Sequence, residues 1–124
     1  MVPRLSYLLA VSAVIAAPAV ALADGLPEKV AECVETRISE LGSRLKGMPD
    51  SGSAVSYENG GYGVTQEIVV PLRRARVGDR VKLCLVSIPQ DCPPGDDRGR
   101  QYRALDLRTH GRWILPDAEH MCGA

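Results

Sequence analysis

The sequence contains no phenylalanine, one tryptophan and four tyrosines among its 124 residues. A core without many aromatic rings must be built from valine, leucine and isoleucine. Few rings are available to stack on nucleic-acid bases, and the formal net charge at pH 7 is zero. Both features argue against a protein that binds nucleic acid.

The N-terminus has the pattern of a secretory signal peptide over residues 1–23. An apolar run over residues 5–20 precedes Ala21-Leu22-Ala23, whose small side chains predict cleavage after residue 23. A membrane anchor is the alternative, but Pro18 interrupts the run, and a span needs about 20 apolar residues. We expect residues 24–124 to form one small domain that is periplasmic or secreted.

Four cysteines follow this segment, and an even number in an exported chain indicates two disulfides. The sequence alone allows three pairings. We predict Cys84–Cys92, which closes a loop rich in proline and glycine. We also predict Cys33–Cys122, which ties an N-terminal helix to the C-terminal tail. A zinc site that includes His120 is the alternative, but no C-x-x-C pair is present and an oxidising compartment disfavours free thiolates. We therefore predict no metal.

Hydrophobic spacing predicts one helix followed by short strands. Apolar residues recur at helical spacing over residues 26–45, and Pro27 suits a first helical turn. Asn59-Gly60 marks a hairpin turn. We predict an α+β domain: one N-terminal amphipathic helix on a twisted, half-barrel-like antiparallel sheet of about five strands, stapled by disulfides. The predicted strands are residues 54–58, 62–70, 80–88, 102–108 and 112–115.

Basic side chains concentrate in the second half of the domain. Residues 24–70 carry eight acidic and four basic side chains, whereas residues 71–124 carry seven and ten. A planar guanidinium binds carboxylate or phosphate through two parallel hydrogen bonds. If the third and fourth strands are neighbours, their cations share one face; the alternative is a solvated face whose arginines pair with aspartates. The predicted ligand-binding residues here are Arg80, Lys82, Arg100, Tyr102 and Arg108.

The loop over residues 92–99 is the most distinctive segment. The predicted disulfide at Cys92 makes it rigid, and Asp96 and Asp97 place two carboxylates side by side. The alternating ligand spacing of an EF-hand is missing, which disfavours calcium. A rigid loop presents a recognition surface at low entropic cost, so Asp96 and Asp97 are also predicted ligand-binding residues. The alternative is a stiff connection whose carboxylates bond turn amides.

Recognisable catalytic motifs are missing. The sequence has no G-x-S-x-G, no H-E-x-x-H and no phosphate-binding glycine loop. His110 and His120 are its two histidines, and His110 falls in a predicted turn. We expect no cofactor and a protein that is not an enzyme. A small envelope hydrolase that uses a carboxylate such as Asp106, or His110, is the alternative.

The segment over residues 81–99, with the run CLVSIPQDCPPGDDRG, resembles a segment of small exported bacterial proteins, and so does the ending over residues 113–123. The resemblance covers about the C-terminal half, implies an exported bacterial protein and transfers no functional residues. We predict a small soluble binding module whose partner is an anionic glycan, a lipid head group or an acidic protein. We expect no nucleic acid and no membrane span after signal cleavage. A structural or stress-related envelope protein is a further alternative.

Overall fold

Six strands form one antiparallel sheet in a computed structural model, which describes residues 2–4, 6–15 and 25–124. The sheet order is β3-β2-β1-β4-β5-β6. A 3₁₀ turn, Pro49–Ser51, lies between β1 and β2, and the helix α1, Val70–Arg74, lies between β3 and β4. The strands are β1 (Cys33–Gly42), β2 (Ser53–Tyr57), β3 (Tyr62–Thr65), β4 (Arg80–Ser87), β5 (Gln101–Asp106) and β6 (Arg112–Pro116).

Two three-stranded meanders build the sheet, and they join where β1 pairs with β4. The sheet curls until its edge strands, β3 and β6, contact each other. Gly63 permits this contact, because a Cβ atom there would lie 2.9 Å from Cβ of Leu115. The predicted antiparallel half-barrel is therefore confirmed, with six strands instead of about five.

The main correction concerns residues 26–45, which do not form the predicted amphipathic helix. Cys33–Gly42 is instead strand β1, and it lies between β2 and β4 in the middle of the sheet. Ala31 has a φ of 73°, a left-handed conformation that a continuous right-handed helix excludes. Within the described residues, α1 is the one α-helix, and it has five residues.

A bulge in β1 explains why its sequence has helical spacing. Val34, Thr36 and Ile38 alternate toward the core, as expected for a strand. The register with β2 then shifts between Ile38 and Glu40, so that Leu41 packs against the core. One extra residue changes the spacing from two to three, and positions 34, 38 and 41 then match a helix as well as a strand.

The later elements follow the sequence patterns more closely. The hairpin predicted at Asn59-Gly60 joins β2 to β3, and Gly60 has a φ of 88° in its turn. The alternation predicted for β4 is also confirmed. The strand predicted over residues 62–70 ends at Thr65, and residues 70–74 instead form α1, which has Pro71 in its first turn and buries Leu72.

The core lies on the concave side of the sheet and is mainly aliphatic, as the composition predicts. Trp113 and Tyr57 add one buried polar contact, in which the indole Nε1 donates to the tyrosine hydroxyl at 2.8 Å. Burial raises the pKa of Tyr57 well above its usual value. The other buried members of this cluster are Ile38, Val55, Leu72, Ala75, Val81, Leu83, Leu85, Tyr102, Ala104 and Leu115.

Two disulfides are present, as predicted, but both predicted pairings are wrong. The structure joins Cys33 to Cys84 and Cys92 to Cys122. Cys33 and Cys84 lie directly opposite each other on β1 and β4, with their Cα atoms 4.0 Å apart. The predicted pairings assumed that Cys33 sits on a helix. Once its segment is a strand, the nearest thiol is that of Cys84, which leaves Cys92 to bridge the loop and the tail.

The signal-peptide prediction receives no structural test at its cleavage site, because residues 16–24 lie outside the described residues. Residues 6–15 form neither helix nor strand, and their side chains are exposed. Among the described residues, no helix is long and apolar enough to cross a membrane.

Candidate functional site

The register of β4, β5 and β6 decides which side chains share the outer face of the sheet. Leu83 lies opposite Ala104, and both are buried on the inner face. The next row across the three strands lies on the outer face. In this row Leu105 of β5 pairs with Lys82 of β4 on one side and with Arg112 of β6 on the other. Lys82 and Arg112 are exposed. The two cations therefore stand in one row across three strands, about 10 Å apart.

Arg103 lies on the same outer face, because it pairs with Cys84 on one side and with Ile114 on the other. Diagonal neighbours on a sheet are about 7–8 Å apart, so Arg103 lies within reach of both ends of the row. Arg37 pairs with Arg80 and extends the same face across β1. We call this surface the basic sheet face, and it consists of Arg37, Arg80, Lys82, Arg103 and Arg112.

Few acidic side chains neutralise the cations of this face. Arg80 forms an ion pair with Glu35, which lies on β1 opposite Lys82. Arg37 donates from Nη1 to the carbonyl oxygen of Gly78 at 3.0 Å. The ion pairs among the described residues include none to Lys82, Arg103 or Arg112. Three exposed cations on neighbouring strands therefore remain without an acidic partner in the described part of the chain.

The predicted face also included Arg108, Arg100 and Tyr102, and none of them lies on it. Arg108 follows β5 and pairs with the buried Asp79, with 2.7 Å from Nε to Oδ1 and 3.0 Å from Nη2 to Oδ2. Arg100 precedes β5 at the opposite end of that strand. Tyr102 is buried in the core. The alternative of arginine–aspartate pairing is therefore correct for Arg108, whereas Arg80 and Lys82 do lie on the exposed face.

Asp106 points into the interior, although a polar residue on that face of β5 suggested a solvated surface. Its side chain is fully buried, and Oδ1 accepts hydrogen bonds from the backbone N–H groups of Arg108 and Thr109 at 2.9 and 3.1 Å. Burial, together with the nearby Asp79, raises the pKa of Asp106. The Arg108 guanidinium holds the pKa of Asp79 well below its usual value. Asp106 therefore stabilises the turn that follows β5.

The predicted recognition loop lies at the far end of β5, and we call residues 88–100 the pinned loop. Its Asp96 carboxylate accepts two hydrogen bonds from Arg98, at 2.8 and 2.9 Å, and one from the backbone of Gly123 at 2.9 Å. The Arg98 contact is the main reason why the pKa of Asp96 lies well below its usual value. Together with the Cys92–Cys122 disulfide, these bonds fasten the loop to the tail.

Asp97 and Arg100, the two remaining predicted residues, meet at a cavity of about 410 Å³ beside the pinned loop. Asp97 is exposed, whereas Arg100 is half-buried. Asp96 also lines this cavity, but its carboxylate oxygens already hold Arg98 and the tail. The structure thus does not bring the seven predicted ligand-binding residues together. Arg80 and Lys82 lie on the basic sheet face, whereas Asp96, Asp97 and Arg100 line the cavity at the pinned loop. Arg108 pairs with Asp79, and Tyr102 is in the core.

Comparisons with known proteins supply no family for the chain: no family model matches it, and neither the curated proteins nor the solved structures contain a match. All four cysteines are in disulfides, so none provides a thiolate for zinc. The functional argument therefore rests on the geometry of the basic sheet face and of the pinned loop.

The sequence prediction missed Arg103 and Arg112 as members of the basic face. The available signal was the alternation of β5, in which Arg103 and Leu105 oppose Tyr102 and Ala104. Because Asp106 and Arg108 extend the side that carries Tyr102, the sequence pattern predicts that this side is the solvated one. The structure buries Asp106, which reverses the assignment and places Arg103 outside.

Proposed function

We propose that the protein is an exported, non-catalytic binding module that captures an anionic component of the bacterial envelope on its basic sheet face. The observation that carries this proposal is the row formed by Lys82, Leu105 and Arg112, with Arg103 diagonal to both cations. Among the residues that the structure describes, no ion pair joins a carboxylate to these three cations, whereas Arg108 pairs with the buried Asp79.

The spacing of the cations favours an extended ligand with repeated negative groups. Cations about 7–10 Å apart on neighbouring strands each meet a separate phosphate or carboxylate. Guanidinium groups bind such anions through paired hydrogen bonds. Ile114 lies beside Arg103 and is 51% exposed, so the face also offers apolar contact between the charges.

The net charge of the chain supports attraction of anions to the basic sheet face and not to the protein as a whole. The formal net charge is zero, so the complete molecule is not drawn to every polyanion. Surface charges act over a Debye length of about 8 Å at physiological ionic strength, which is comparable to the spacing on this face. We therefore expect salt-sensitive binding that depends on these particular side chains.

The experiment compares two charge reversals of equal size. Arg103→Glu with Arg112→Glu alters the basic face, whereas Arg73→Glu with Arg74→Glu alters exposed arginines of α1. Binding of the disulfide-bonded protein to phosphatidylglycerol vesicles and to polygalacturonate is measured by co-sedimentation, with phosphatidylcholine vesicles as the neutral control.

We expect the first variant to lose at least about 30-fold in affinity, since each cation near an anionic surface contributes about 1 kcal/mol. The α1 variant should retain most of the binding. Equal losses of affinity in the two variants would show that the anions bind by general electrostatic attraction and not at the basic sheet face. Unchanged binding by the first variant would also contradict the proposal.

A further inference from the structure

The cavity beside the pinned loop lies at the other end of β5 from Arg108 and does not depend on the basic sheet face. We propose that it binds a carboxylate carried on an apolar body, and that Arg100 is the residue that holds the carboxylate. This would be a second site for a small ligand or for the C-terminus of a peptide.

The cavity has the size and the walls of a small-molecule site. Its volume of about 410 Å³ falls within the range of about 300–1,000 Å³ that is usual for such sites. Ile88, Pro89 and Pro93 supply apolar walls, and Arg100 supplies a cation at the same cavity. Apolar walls with a few polar groups are the common composition of a ligand pocket.

Arg100 differs from the arginines that the fold uses internally. Arg98 and Arg108 each form an ion pair with an aspartate, whereas the ion pairs of the described residues include none to Arg100. Its Nε atom is buried and has no hydrogen-bond partner in the described part of the chain. Buried donors are rarely left unsatisfied in folded proteins. The guanidinium lies close enough to the Tyr102 hydroxyl to counter part of the rise that burial causes in the pKa of Tyr102, but it has no carboxylate partner among the described residues. It therefore has capacity for a carboxylate acceptor.

The walls of the cavity are held in place before any ligand arrives. Cys92 is bonded to Cys122 of the tail, and Asp96 is fixed by Arg98 and by the backbone of Gly123. A site formed by restrained segments loses little conformational entropy on binding. Such restraint favours a small ligand, whose few contacts cannot order a mobile loop.

Asp97 sets the charge of the ligand. It is exposed and lines the same cavity as Arg100, so its carboxylate repels additional negative charge. A monocarboxylate therefore fits the site better than inorganic phosphate, which carries more charge and no apolar body.

The test uses two matched pairs of probes, each of which differs in one negative charge. Hexanoate is compared with hexanamide, and N-acetyl-valyl-leucine is compared with its C-terminal amide. Binding to the disulfide-bonded protein is followed by backbone amide chemical shifts and by calorimetry. Inorganic phosphate serves as a competitor that should fail.

We expect saturable binding of at least one acid, weaker binding of its amide, and shifts that cluster on residues 88–100. The two acids distinguish a free small acid from a peptide C-terminus. Arg100→Gln should weaken the acid by about ten-fold or more, because a hydrogen-bonded charge is lost. Arg73→Gln, on α1, should leave the binding of the acid unchanged.

Asp97→Asn provides a check that does not require Arg100 to be altered, and it should tighten the acid about two- to five-fold, because a like charge is removed. The proposal is overturned if neither acid binds, if acid and amide bind equally, or if Arg100→Gln and Arg73→Gln have the same effect. None of these results bears on vesicle binding by the basic sheet face.

Discussion

The basic sheet face and the pinned loop both carry arginines, but the two regions use them differently. On the face, antiparallel register holds Arg103 and Arg112 on adjacent strands and places no acid opposite either of them. In the loop, the chain turns so tightly that Asp96 and Arg98, two residues apart, form an ion pair. The extended strands therefore leave arginine side chains exposed without ion pairs, whereas the tight loop neutralises an arginine with a neighbouring aspartate. The first arrangement suits a broad anionic surface, and the second leaves Arg100, which has no ion pair among the described residues, for one small ligand.

Removing each disulfide in turn should have the largest effect on stability, and it compares the bridge of the sheet with the bridge of the pinned loop. Cys33–Cys84 closes a loop of 51 residues and Cys92–Cys122 a loop of 30, which predicts losses of about 4.1 and about 3.6 kcal/mol in the free energy of unfolding. Urea unfolding of the paired Cys→Ser variants measures both losses.

The same two variants should also differ in function. Cys92→Ser with Cys122→Ser frees the pinned loop, so it should weaken the carboxylate probes while vesicle binding persists. Cys33→Ser with Cys84→Ser removes a bridge from the outer face itself, and the cavity beside the loop should keep its ligand. A result in which both variants lose both activities alike would show that the regions are not independent.

Arginines with and without an internal partner should differ in their effect on stability. Arg108→Ala leaves the buried Asp79 without its guanidinium, which we expect to cost about 2 kcal/mol; complete burial of the pair would cost more, but the Arg108 side chain is 42% exposed. Arg112→Ala, on the basic face, should stay within about 0.5 kcal/mol of the parent. Equal losses in urea unfolding would contradict the distinction.

The smallest expected effect is a change in pH dependence at the carboxylate pair near Arg108. Folding raises the pKa of Asp106 above the unfolded value of about 4, so the stability of the protein should fall as pH rises from there through the raised pKa. The slope is at most about 1.4 kcal/mol per pH unit for one proton. Asp106→Asn cannot lose a proton and should abolish this decline.

Asp79, the other carboxylate of this pair, makes the stability of the protein change with pH in the opposite direction. Its pKa is lowered in the folded protein, so its contribution is present above about pH 4 and is lost as pH falls. Both the parent and Asp106→Asn should show this acid-side loss when unfolding is measured from about pH 3 to about pH 7. Parallel curves over the whole range would contradict the role given to Asp106.

The sequence predicted those elements whose signals are local. The Asn59-Gly60 turn and the alternation of β4 depend on neighbouring residues, and both predictions are confirmed. β1 was not predictable in this way, because the bulge after Ile38 gives its apolar residues helical spacing, and only pairing on both sides shows that it is a central strand. The disulfide error followed from this one misassignment.

The sequence predicts that an arginine-rich sheet face exists, but it does not predict all of the residues that form it. An arginine-rich sheet face was expected, and Arg80 and Lys82 belong to it. The partner strand was assigned with the wrong side outward, because a sequence does not show that Asp106 is buried and bonded to turn amides. Arg100 has no ion pair among the described residues, and this also depends on where Asp96 and Arg98 meet, which is a property of the folded loop.

Backbone amide chemical shifts during titration with a short sulfated oligosaccharide test the central claim most directly. The basic sheet face predicts salt-sensitive shifts that centre on Lys82, Arg103 and Arg112, with little change at α1. Shifts that centre instead on Arg73 and Arg74 of α1, or that spread evenly over all exposed arginines, would contradict the account.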